Sequence, residues 1–108
     1  EHIENVAVNV IKGDKKREPF DRKKLYDGIA IACAKLPIPT DKIDEVVDGI
    51  THDIESHGDR EIDSEDIGEM VMVRLKDLHE VAYVRFASVY RKFQDMTEFL
   101  REVNKINE

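Results

Sequence analysis

The chain has 108 residues, 41% of them hydrophobic, which bounds it to one domain with a single modest core. It has no apolar run long enough for a membrane-spanning helix or a secretory signal, and its one cysteine excludes an internal disulfide and a cysteine-based zinc site, so a cytoplasmic protein is expected. The net charge of −7 is uneven: residues 11–24 hold seven cations (Lys12, Lys15, Lys16, Arg17, Arg22, Lys23, Lys24) against Asp14, Glu18 and Asp21, about +4, which leaves about −11 on the remainder.

Val6 to Ile11 is rich in β-branched residues and predicts a strand. Gly13–Lys16 reads as a turn and Arg17–Phe20 as a return strand, placed at a sheet edge by Pro19, which has no N–H to give to a ladder. Asp21 is a plausible N-cap for a helix carrying Leu25, Ile29, Ala32 and Leu36 at helical spacing, ended by Pro37 and Pro39. Thr40 can cap a second helix with the stripe Ile43, Val46, Val47, Ile50 and Ile54, stopped at His57-Gly58.

Arg60–Asp63 reads as a short extended link, a third strand if it lies beside the hairpin. Asp63 or Ser64 caps a third helix carrying Ile67, Met70, Val71, Leu75 and Leu78, and His79-Glu80 marks a break. The fourth helix, Val81 to Phe93, is apolar on nearly every side, which predicts the central and most buried helix. Met96, Phe99, Leu100, Val103 and Ile106 form the stripe of a last helix. The expected class is α+β: a hairpin or three-stranded sheet on a four-helix bundle, with an extra C-terminal helix.

An acidic body does not suit a DNA backbone, so no direct DNA binding is expected of this chain alone. One compact basic site on such a body suits a small anion; the alternative is a solvated basic turn. His2, His52, His57 and His79 are too scattered for a metal site, and Cys33 lies in an apolar pattern that predicts burial. No nucleophile–base pattern or catalytic glycine loop stands out, so an enzyme is not expected.

Lys12, the turn, Arg17-Glu-Pro-Phe-Asp21 and Lys24-Leu25, together with Val81-Ala-Tyr-Val-Arg-Phe-Ala-Ser-Val-Tyr-Arg-Lys-Phe93, resemble the ATP-cone. This is the regulatory nucleotide-binding domain of ribonucleotide reductases and of the bacterial repressor of their genes. Arg17-Glu-Pro-Phe-Asp21 and Val81-Ala-Tyr-Val-Arg-Phe-Ala-Ser-Val-Tyr-Arg91 together resemble the repressor's version rather than the reductase's. The resemblance divides the chain into a junction over 1–5, the cone over 6–94 and a C-terminal helix over 95–108 that is a candidate for oligomerisation. Full repressors carry a zinc ribbon with paired cysteines; its absence here makes the chain resemble an excised, designed or naturally ribbon-less cone.

The resemblance implies a regulatory module that binds ATP and dATP with Mg2+ and changes its homo-oligomeric state. It assigns Lys12, Lys24 and Arg91 to the phosphates, Glu18 and Asp21 to the base, Val10 and Phe20 to the walls around the ring, and Ser64 to the ribose. Tyr90 falls at the end of the central helix, beside Arg91. Many cones carry an arginine where this chain has Gly13; Lys15, Lys16 or Arg17 would stand in, and Arg17 joins the binding set. Each has a plainer alternative: surface lysines for Lys12 and Lys24, core packing for Phe20 and Tyr90, a lysine partner for Glu18, a helix cap for Ser64. Two other readings stay open: the detached allosteric cone of a reductase, and a helical interaction module with no nucleotide.

Overall fold

The computed structural model describes residues 8–56, 58 and 60–93. β1 (Asn9–Ile11) lies at the centre of a three-stranded sheet of order β2-β1-β3. β2 (Arg17–Pro19) pairs with it antiparallel, and β3 (Glu61–Asp63) pairs with it parallel. β2, which carries Pro19, is therefore one of the two edge strands, where a residue without an N–H costs no ladder bond. Between β1 and β2 the chain turns through Lys15, held at φ 73.

Four helices follow: α1 (Arg22–Ala32), α2 (Thr40–Ser56), α3 (Ser64–Leu78) and α4 (Glu80–Phe93). α1 packs on α2, α2 on α3, α3 on α4 and α4 back on α1, closing a bundle. Its centre is Leu25 and Ile29 from α1, Val47 and Ile50 from α2, Val71 and Leu75 from α3, and Phe86 from α4. The stripe on α2 is buried as its spacing predicts, at Ile43, Val46, Val47, Ile50 and Ile54.

Several boundaries differ from the expectation. α1 ends at Ala32, well before Pro37, because the next residues turn back through Lys35 at φ 65. Arg85 of α4 fixes that turn: its Nη1 donates to the carbonyls of Ala34 at 2.7 Å and Ala32 at 3.4 Å. Thr40 is the first residue of α2 rather than its cap; the carbonyl of Pro39 accepts from Lys42 and Ile43. Asp63 holds the N-cap position of α3 but makes no side-chain cap bond, and Ser64 is the first helical residue.

α4 is not apolar and buried all round. Ala82, Phe86, Ala87 and Tyr90 face the core, whereas Val81 and Val84 are 43% and 52% exposed. The break before it is real: His79 is extended, and its Nδ1 accepts from the Val81 N–H at 3.1 Å, capping α4. Val6, His57 and the last helix with Met96, Phe99, Leu100, Val103 and Ile106 lie outside the described residues.

Candidate functional site

The pleat of β1 decides which side chains meet. Side chains two apart on a strand share a face, and directly paired residues of neighbouring strands do too. Val10 pairs with Glu18, so both point to the same side of the sheet, and Lys12 follows Val10 on that side. There they meet the start of α1, held by its cap: the Asp21 carboxylate accepts from the Lys23 N–H at 2.9 Å.

α3 and α4 close the inner end. Ser64 opens α3 and is 5% exposed; Tyr90, near the end of α4, is 2% exposed. The Tyr90 hydroxyl donates to the Ser64 carbonyl, and its ring stacks on Phe86 with centroids 5.0 Å apart. The result is an open cleft lined by Val10, Lys12, Glu18, Phe20, Asp21, Lys24, Ser64 and Tyr90. Those are eight of the ten residues singled out from the sequence. Pro19, Leu25 and Ile67 complete the lining; they read as an edge-strand residue and two core residues in the sequence, so nothing there marks them.

Arg17 is not brought into the cleft. It pairs with Ile11, one step out of phase with Val10 and Glu18, and so faces the other side of the sheet. There its Nε donates to Glu61 Oε2 at 2.5 Å, and this carboxylate raises the pKa of the guanidinium. The side chain of Arg91 lies outside the described residues.

The basic segment is thus divided by its partners. Arg22 pairs with Asp48, and Lys23 with Asp27 at 2.9 Å, a contact that raises the lysine's pKa. Lys12 and Lys24 remain as the ammonium groups on the cleft. Lys24 Nζ lies 3.4 Å from Glu18 Oε1. A second, more polar hollow adjoins on the far side of Lys12 and Ser64, lined also by Gly13 and Lys15. Apolar walls from Val10, Phe20, Leu25 and Ile67, with cations and carboxylates at the rim, suit a flat ring carrying a charged tail. Among the described residues no group of His, Cys, Asp and Glu could hold a metal ion, and no helix is long and apolar enough to cross a membrane.

Residues 8–96 match the family model described as the ATP cone domain. The chain is similar to the transcriptional repressor NrdR of Acetivibrio thermocellus, 50% identical over 106 residues that cover 98% of this chain and 70% of the relative. It is also similar to the transcriptional repressor NrdR of Petrotoga mobilis, 46% identical over 106 residues (98% and 71%), and to that of Sorangium cellulosum, 47% identical over 106 residues (98% and 69%).

Proposed function

This chain belongs to the ATP-cone family, and from that premise we propose that it is a nucleotide-sensing regulatory module that binds ATP and dATP in the β1–α1–α4 cleft. It is a regulatory domain and not an enzyme: the relatives it matches are named as repressors of transcription. Those names favour the repressor's form of the cone over a detached reductase cone.

The observation that carries the reading is the convergence of Lys12 and Lys24 on the rim of an apolar cleft whose inner wall is Tyr90. Phosphates would meet the two ammonium groups at the rim, where the start of α1 adds its positive dipole end. The ring would lie between Val10 and Phe20. The Glu18 carboxylate accepts hydrogen bonds and cannot donate them, so it favours the amino group of adenine over the carbonyl of guanine. Mg2+ would arrive with the phosphates.

Regulation would follow from assembly. In the sequence Met96, Phe99, Leu100, Val103 and Ile106 recur at helical spacing, a pattern that would suit pairing with a second copy, and ATP and dATP would favour different oligomers. Light scattering of the chain alone, with ATP and with dATP should give different mass distributions; a monomer at high concentration in all three would refute this. The acidic charge balance supports no sequence-specific DNA binding by this chain alone, to be checked by gel shift at physiological salt. A role in transcription would favour a cytoplasmic location. Titration of the chain with ATP tests the binding reading itself, and an interaction module without a nucleotide would give no heat.

A further inference from the structure

Gly68 and Tyr90 meet at the inner end of the cleft. A Cβ added at Gly68 would stand 1.9 Å from Tyr90 Cε2, 2.4 Å from Cζ and 2.7 Å from Cδ2. Non-bonded carbons rest at about 3.5–4.0 Å, so the ring lies directly on the backbone of α3 in space that only glycine leaves. Gly49 offers a contrast. A Cβ there would stand 2.4 Å from Arg74 Nη1, at the far end of a flexible side chain 37% exposed, which can swing aside.

Tyr90 has no such latitude. Its ring is stacked on Phe86 at an interplanar angle of 15°, its hydroxyl is tied to the Ser64 carbonyl, and it is almost wholly buried. A methyl group at position 68 would close the α3 side, and Phe86 already closes another. The open direction left to the ring is the cleft it lines.

We propose that Gly68 is a positioning residue for the ligand: by having no side chain it seats Tyr90 back on α3 and keeps the inner end of the cleft open for the base. The proposal rests on the adenine-nucleotide reading of the cleft and adds a residue that does not itself line it. Alanine is the better helix former at an interior position, so a residue that merely carried helix would be improved by the change. A seat for Tyr90 would be spoiled by it.

The test is a double-mutant cycle read by isothermal titration with ATP on the parent chain, Gly68→Ala, Tyr90→Leu and the double variant, with far-UV circular dichroism as the fold check. Gly68→Ala should weaken ATP at least about tenfold against Tyr90 and about twofold or less in the Tyr90→Leu background, since contacting residues couple and the steric conflict needs the ring. Near-UV circular dichroism without nucleotide should show the tyrosine signal altered in Gly68→Ala. Should Gly68→Ala fail to fold, the double variant regains the fold and binds ATP as Tyr90→Leu alone does; a double variant that stays unfolded overturns the proposal. Binding by Gly68→Ala equal to the parent, or an equal loss in both backgrounds, also overturns it. A parent that binds no ATP defeats the nucleotide reading alone, and the tyrosine signal then decides the seat: unchanged in Gly68→Ala, it overturns the seat too.

Discussion

Lys24 Nζ and Glu18 Oε1 lie 3.4 Å apart on the rim of the cleft, so the ammonium proposed for the phosphates and the carboxylate proposed for the base are bonded to each other. Their side chains are 40% and 27% exposed. An ion pair of that exposure is worth about 0–1 kcal/mol, so a nucleotide can redirect both groups at small cost. Glu18→Gln keeps the size of the side chain but adds an amide donor that can reach the carbonyl of guanine. The preference for ATP over GTP should fall by about tenfold, a change typical of one charge-assisted hydrogen bond. Paired titrations with ATP and GTP check this, and an unchanged ratio would remove Glu18 from base recognition.

Lys12 and Lys24 should each contribute a charge-assisted contact of about 1.5–3 kcal/mol. Lys12→Ala and Lys24→Ala should therefore weaken ATP at least several-fold with unchanged circular dichroism, and the double variant should lose more. A double variant that binds ATP like the parent would show that the cleft has been misassigned.

Asp21 caps α1 through its bond to the Lys23 N–H. Its replacement by alanine should cost about 1 kcal/mol of stability. For a domain of this size that lowers Tm by about 4–8 °C. Asp21→Asn keeps an acceptor of the same reach and should melt close to the parent, as thermal unfolding followed at 222 nm (~far-UV) would reveal.

Cys33 is 4% exposed, and burial pushes its thiol pKa up, with Arg85 opposing. The folded chain therefore holds the proton to higher pH than the unfolded chain does. This stabilisation is complete below the unfolded pKa and is lost as pH rises from there through the folded value. Thiol reagents should label Cys33 slowly in the native chain and rapidly in urea. Cys33→Ala should show a shallower fall in urea midpoint than the parent above about pH 9. Equal labelling rates in native and unfolded chains would contradict the burial argument.

Much of this arrangement was legible in local pattern. The strand–turn–strand with Pro19 on its edge, the Asp21 cap, the α2 stripe and the break at His79 all follow from residues that act on near neighbours. What was not legible depends on distant ones. α1 stops at Ala32 because Arg85, 51 residues beyond Ala34, takes the carbonyls of the turn. Arg17 belongs to the right segment but to the wrong face, which only the register of β2 on β1 decides. α4 reads as apolar all round, yet the bundle has room for one face of it and leaves Val81 and Val84 outside. Gly68 carries no chemistry in the sequence; it matters because Tyr90 arrives from the next helix.

Isothermal titration of the chain with ATP, dATP, GTP and AMP tests the central claim most directly. Saturable binding of ATP and dATP is predicted, with GTP at least about tenfold weaker because a Glu18 carboxylate at the six-position of the ring meets an amino group in adenine and a carbonyl in guanine, and AMP weaker for want of the outer phosphates. No heat with any of the four, or equal affinity for ATP and GTP, would contradict an adenine-nucleotide sensor.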